Sequence, residues 1–92
     1  MPKNNLEGVL EITGKMVIRG KTIKVLRTIK GHTLKDMRES TELTLPTLSA
    51  MENEKYNLSL RNQVKITRYL TKELGYTPDE VMVLQAFINS KR

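Results

Sequence analysis

The sequence predicts an all-α protein built from five short helices, and three observations support this class. Apolar residues recur at three- and four-residue intervals from residue 21 onward, which is the spacing of one buried helix face. Capping residues precede most of these runs, and Gly31 and Gly75 follow two of them. The chain has 92 residues, which is enough for one domain with a single core and too few for two.

The first two helices are predicted over residues 21–30 and 34–40. Gly31 readily adopts the left-handed conformation that ends a helix, and Thr33 can cap the second helix. The residues predicted to face the core are Ile23, Leu26 and Ile29 in the first helix, and Leu34 and Met37 in the second.

Thr44 is predicted to cap the third helix. Pro46 fits only within the first turn of that helix, where its missing N–H is no loss. Ser59 can cap a fourth helix, which runs to Leu74 and ends at Gly75. The predicted buried stripes are Leu48 and Met51 in the third helix, and Leu60, Val64, Thr67, Leu70 and Leu74 in the fourth.

The fifth helix has the clearest start signal in the chain. Thr77, Pro78 and Glu80 combine an N-cap, a proline at the first helical position and a capping-box glutamate. The apolar residues that follow are Val81, Val83, Leu84, Phe87 and Ile88. This helix is more apolar than a terminal helix requires, so four of its residues are predicted either to form a dimer surface or to complete the core: Val81, Leu84, Phe87 and Ile88.

Residues 1–20 have a different pattern and are predicted to be an N-terminal arm attached to a domain over residues 21–92. Two short apolar runs flank Thr13 and Gly14, a pair that favours a hairpin turn less strongly than Asn-Gly does. The arm is therefore predicted to be either a short β-hairpin or an extended segment.

Charge indicates a polyanionic partner. The net charge is +6, from 16 basic and 10 acidic side chains. Residues 1–31 hold seven basic and two acidic side chains, residues 32–52 hold two and four, and residues 53–75 hold five and two. Two basic blocks therefore flank an acidic one.

Several other classes of function lack the residues they need. The chain has no cysteine and one histidine, His32, which argues against disulfides and structural metal sites. No nucleophile lies beside a candidate base, so we expect neither an enzyme nor a cofactor. Without a signal peptide or an apolar run of membrane-spanning length, we expect a cytoplasmic protein with no membrane partner.

The second and third predicted helices are joined by residues 41–43 alone, a connection typical of a helix-turn-helix. From Ile23 to Leu60 the chain resembles, without a gap, the lambda-repressor-like, Cro-type helix-turn-helix domains of phage repressors and bacterial regulators. The segments that carry the resemblance are IKVLRTIKGHTLKDM, TELTLPTLSAMENEKYN and SLRNQVKITRYL.

The resemblance implies a role for each matching position. Arg27 and Glu52 match the ion pair that ties the first helix to the end of the third, and the third helix is expected to enter the major groove of double-stranded DNA. The expected base readers are Leu45, Pro46, Ser49, Ala50 and Asn53, with Thr44 and Thr47 beside them. The expected contacts to the DNA backbone are Lys35, Lys55, Asn57 and Arg61.

Four residues depart from the family pattern: Leu34, Arg38, Glu42 and Glu54. Glu42 replaces a common turn glycine and is expected to carry a left-handed backbone cost of about 1 kcal/mol if the turn keeps the shape usual in the family. The expected reading surface is poor in hydrogen-bond donors, which predicts readout through thymine methyl groups, hydroxyl contacts, DNA shape and dimer spacing.

Taken together, these features predict a sequence-specific transcriptional regulator, a repressor of phage or mobile-element type that binds an operator as a homodimer. The alternative is a protein-binding modulator, similar to an antirepressor or antitoxin, that keeps the helix-turn-helix and binds a partner repressor or toxin protein. Leu34, Arg38 and Glu42 favour the alternative.

Overall fold

A computed structural model describes residues 18–55 and 58–90. In chain order these residues form α1 (Gly20–Ile29), α2 (Leu34–Thr41), α3 (Leu45–Glu52), α4 (Leu60–Arg68) and α5 (Pro78–Ser90), and α4 continues as a π-helical segment, Tyr69–Glu73. The described residues contain helices and connections and no strand, which confirms the all-α class for this part of the chain. The predicted arm lies outside the described residues, apart from its last three positions.

The local signals at the helix ends have the predicted effect. The side chains of Thr33, Thr44 and Ser59 each accept a hydrogen bond from a backbone N–H in the first turn of the helix that follows. Gly31 and Gly75 have φ angles of 73° and 79°, in the left-handed region where a side chain is strained.

The α5 capping box also forms as predicted. The Thr77 hydroxyl accepts the Glu80 N–H at 3.1 Å, and the Glu80 carboxylate accepts the Thr77 N–H at 2.8 Å. Thr33 and Asp36 form the same motif at the start of α2, and the bond from the Thr33 N–H holds the pKa of the Asp36 carboxyl below its usual value.

All five helices contribute to one buried core. Its members are Ile18, Ile23, Leu26, Met37, Leu48, Met51, Ile66, Tyr69, Leu70, Leu74 and Val81. The main packing partners of α1 are α3 and α5, whereas α2 packs on α3 and on the π-helical segment. The interior therefore forms between α1 on one side and α2 on the other, with α3 in contact with both.

Two predicted core positions are wrong. Ile29 is 63% exposed and Leu60 is 67% exposed. In both helices the buried face includes polar residues, Thr22 and Arg27 in α1, and Gln63 and Thr67 in α4. The prediction included Thr67 but not Thr22 or Gln63, and it placed the apolar Ile29 and Leu60 on the buried faces instead.

The predicted fourth helix is not regular to its end, because its last turn widens into the π-helical segment. The Leu74 N–H donates to the Tyr69 carbonyl at 3.1 Å, five residues back. The Tyr69 side chain is buried, and its hydroxyl lies 2.9 Å from Nδ1 of His32. Burial raises the pKa of Tyr69 to about 12.

Arg19 joins the beginning of α1 to two other parts of the chain. Its backbone N–H donates to Oε1 of Gln85 at 2.7 Å, and its guanidinium donates to Asn89, also in α5, and to the Glu54 carboxylate. These bonds hold the N-terminal end of α1 between α5 and the loop after α3.

Gly20 allows α1 to touch the end of α3. A Cβ atom built at Gly20 would lie 1.8 Å from the carbonyl oxygen of Met51. Backbone atoms cannot swing aside as a side chain can, so only glycine fits at this contact.

We predict that Gly20→Ala destabilises the fold by about 2–3 kcal/mol, because α1 and α3 must separate to admit the methyl group. The matched control is Gly31→Ala, which meets no atom within 4 Å and carries only the left-handed backbone strain, about 1 kcal/mol. Urea unfolding of both variants measures the difference. An equal loss in the two would contradict the close contact.

Candidate nucleic-acid interface

The connection between α2 and α3 is a tight turn over residues 42–44. Glu42 has a φ of 63°, and its N–H donates to the Arg38 carbonyl at 2.8 Å, which confirms the predicted left-handed turn residue. The buried Thr41 hydroxyl donates to the Met37 carbonyl and accepts the Leu43 N–H. This hydroxyl therefore joins the last turn of α2 to the backbone of the connection that leads into α3.

Met37 from α2 and Leu48 and Met51 from α3 are buried together in the core. Leu43 and Leu34 pack against that cluster while remaining partly exposed. We refer to helices α2 and α3 with their turn as the α2–α3 unit.

A buried ion pair holds the end of α3 to α1. The guanidinium of Arg27 donates two hydrogen bonds to the Glu52 carboxylate, both 2.8 Å long, and a third to the carbonyl of His32 at 2.6 Å. The two side chains are 11% and 4% exposed. The predicted pair is therefore present and buried, and Arg27 also holds the loop that leads into α2.

The outer face of α3 carries the residues predicted as base readers. Leu45 is 37% exposed, Pro46 and Asn53 are exposed, and Ser49 and Ala50 are half-buried. Because Leu48 and Met51 face the core, these five side chains lie on the opposite part of the helix surface.

Polar groups on this face bond to one another. The Thr44 hydroxyl accepts the Thr47 N–H at 3.3 Å and donates to the Thr47 hydroxyl at 2.8 Å. The Asn53 side-chain amide donates to the Ser49 hydroxyl at 3.4 Å. The apolar atoms of Leu45, Pro46 and Ala50 make up much of the remaining surface.

The predicted backbone contacts lie at helix ends. Lys35 is exposed in the first turn of α2, Lys55 is exposed just after α3, and Arg61 is exposed in the first turn of α4. The first turns of α3 and α4 contain no acidic residue, so no side-chain charge there offsets the positive ends of these helices. Asn57 lies outside the described residues.

The four residues predicted as a dimer surface do not share one environment. Val81 is fully buried and Ile88 is 8% exposed, so both complete the core and are not available to a second chain. Leu84 packs partly against the core, whereas Phe87 is 54% exposed. The dimer prediction is therefore wrong for Val81 and Ile88, which face inward with Gln85 on the buried side of α5.

Sequence reasoning missed one exposed apolar residue beside the predicted contacts. Leu60 immediately precedes Arg61, and its side chain projects into solvent. Leu60 directly follows the N-cap Ser59, and the first position of a helix often lies at the edge of the core. This position could have indicated exposure, but the apolar character of Leu60 led to its assignment to the interior.

Comparison with known protein families, with curated protein sequences and with solved structures found no match for this chain. No helix in the described part of the chain combines the length and the hydropathy that crossing a bilayer requires. The likeness to lambda-repressor-like domains therefore rests on the residues quoted above.

We predict that Glu52→Ala destabilises the fold by about 3 kcal/mol, because the Arg27 guanidinium is left buried without its counter-charge. Denaturant unfolding measures this loss. Glu54→Ala is a matched control, since Glu54 also accepts two hydrogen bonds from one arginine, Arg19, but in an exposed pair. Solvent screens that pair, so its removal is expected to have a much smaller effect. Equal losses of unfolding free energy in Glu52→Ala and Glu54→Ala would show that burial does not make the Arg27–Glu52 pair more important to stability than the exposed pair.

Proposed function

We propose that this chain is a lambda-repressor-like, sequence-specific DNA-binding regulator, a repressor of phage or mobile-element type that binds its operator as a homodimer. In this proposal α3 enters the major groove, and the side chains on its outer face contact the base edges. The chain is neither an enzyme nor a cofactor-binding protein in this proposal, and it acts in the cytoplasm.

One observation carries the proposal. The N-terminal part of α3 is exposed on its outer side, while contacts on its inner side fix the position of the helix. The tight turn after α2, the core contacts of Leu48 and Met51, and the Arg27–Glu52 pair support α3 on its inner side. In the described part of the chain, Leu45, Pro46 and Asn53 on its outer side are exposed. A duplex groove requires a protruding helix whose orientation does not change on contact, because readout depends on angle and depth.

Charge at the ends of three helices supports the same function. Lys35, Lys55 and Arg61 flank the α2–α3 unit in the chain and are exposed. In the proposed complex they bind phosphates, which position the protein, while Leu45, Pro46 and Ala50 contact bases. The uncompensated N-termini of α3 and α4 add to the attraction for phosphate.

A second candidate is a protein-binding modulator with the same fold, and it is favoured by the apolar character of the exposed residues. Leu45 and Leu60 are 37% and 67% exposed, and no arginine lies on the outer face of α3. Such a surface can bind an apolar groove on a partner repressor or toxin.

Salt dependence of DNA binding distinguishes the two candidates. We expect affinity for a duplex selected from a random pool to fall steeply with salt, with a log–log slope of several. Arg61→Ala is expected to reduce the slope by about one for each bound protomer. Lys24→Ala removes an exposed lysine from α1, outside the proposed interface, and is expected to leave the slope unchanged. Weak binding that is the same for every sequence would favour the modulator.

The apolar reading surface gives a second prediction. We expect replacement of a contacted thymine by deoxyuridine to weaken binding about three- to fourfold, because it removes one methyl group and no hydrogen bond. Leu45→Ala is expected to bind the thymine and deoxyuridine duplexes equally well, because it lacks the side chain that contacts the methyl group. Asn53→Ala is expected to keep the preference for thymine. Equal affinity of the wild-type protein for both duplexes would exclude methyl readout without excluding DNA binding.

A further inference from the structure

A cleft lies between the C-terminal end of α2 and the outer side of α4 with its π-helical segment. Its volume is about 300 Å³, at the lower end of the range for small-molecule sites. We call it the α2–α4 cleft, and it is lined by Ser40, Thr41, Glu42, Lys65, Arg68, Lys72 and Glu73.

Three cations form one wall of the α2–α4 cleft. Lys65, Arg68 and Lys72 follow one another at intervals of three and four residues, which places them on one side of the helix over about 10 Å. Among the described residues, none of the three takes part in an ion pair. The C-terminal end of α2 has an effective charge of roughly −0.5, too small to balance them. The cations therefore remain available to an external anion.

Two carboxylates limit the kind of anion that the cleft accepts. Glu42 from the turn and Glu73 from the π-helical segment also line it, so the net charge of the lining is one positive. Neither carboxylate is paired with a described cation. A long polyanion would be repelled by them, whereas a ligand with one phosphate and several hydroxyl groups supplies an acceptor for each cation and a donor for each carboxylate.

The cleft is separate from two of the proposed phosphate contacts, Lys35 and Arg61, although Glu42 in its lining is only two residues from Thr44. Lys35 precedes Thr41 by six residues in α2, and Arg61 precedes Arg68 by seven in α4, so about 10 Å of helix lies between the two sites along both helices. No residue of α3 lines the cleft.

We propose that the α2–α4 cleft binds a small phosphorylated polyol, such as a sugar phosphate or a mononucleotide. Arg68 and Lys72 contact the phosphate, with Lys65 beside them, and Glu42 and Glu73 accept hydrogen bonds from hydroxyl groups. The Ser40 hydroxyl lies on the opposite wall and can donate to either part of the ligand. This proposal is independent of DNA binding.

The test is a titration of the full chain, labelled with ¹⁵N, with ribose 5-phosphate at constant ionic strength. We expect saturable changes in the amide signals of Ser40, Glu42, Arg68 and Lys72, with those of Lys35 and Arg61 unchanged. Ribose is expected not to bind, and inorganic phosphate is expected to bind more weakly. AMP is expected to bind at the same residues, and its affinity relative to ribose 5-phosphate distinguishes a nucleotide from a sugar phosphate.

Two sets of variants test recognition of the phosphate and recognition of the hydroxyl groups separately. The double change Arg68→Gln and Lys72→Gln is expected to weaken ribose 5-phosphate binding at least about tenfold, since two charge-assisted contacts are lost. Glu42→Ala with Glu73→Ala removes both acceptors and is expected to remove the preference for ribose 5-phosphate over inorganic phosphate. Lys24→Gln is the matched control, because it removes an exposed lysine elsewhere. All are surface changes, and the spectrum of each variant reports whether it is folded.

Three results would overturn the proposal. One is the absence of saturable binding of ribose 5-phosphate. Another is equal signal changes at all exposed lysines, which would indicate general attraction of anions. The third is tighter binding of hexaglutamate than of ribose 5-phosphate at the same residues, which would assign the cleft to an acidic peptide.

Discussion

The buried ion pair between Arg27 and Glu52 is the contact on which the orientation of α3 depends. The Arg27 guanidinium satisfies two carboxylate oxygens at the end of α3 and the His32 carbonyl before α2, so one side chain joins three segments. Removing both charges from water is costly, and the bidentate geometry recovers much of that cost only when the carboxylate is in one position. The pair thus contributes geometric precision more than net stability.

A second set of contacts defines how closely α1 approaches α3. Gly20 lies against the Met51 carbonyl, one residue before Glu52, and Arg19 binds Glu54, two residues after it. The end of α3 is therefore held by steric contact, by a buried ion pair and by an exposed one. These contacts meet at the C-terminal end of α3, whereas Leu45 and Pro46 at its N-terminal end are exposed among the described residues.

Electrostatics differ between the surface proposed to contact DNA and the α2–α4 cleft. At the N-terminal ends of α3 and α4, the helix dipoles and nearby basic residues favour phosphate without any compensating acid in the first turns. At the C-terminal end of α2, three cations and two carboxylates line one cleft without pairing. The first arrangement suits the uniform charge of a nucleic-acid backbone, and the second suits a smaller ligand with both acceptors and donors.

The sequence alone determined the helix ends, because a cap or a left-handed glycine acts through bonds between residues only a few positions apart. The roles of Thr33, Thr77 and Gly31 were predictable for this reason, whereas the left-handed turn at Glu42 was expected only from the family resemblance. The direction of each buried face was decided only by tertiary packing. Thr22 and Gln63 are buried, while Ile29 and Leu60 are exposed, since burial depends on which neighbour covers a position and not on its hydropathy alone. The cleft beside Lys65, Arg68 and Lys72, the π-helical turn and the bond between His32 and Tyr69 likewise required the assembled chain, because each joins or shapes segments whose contact no local pattern encodes.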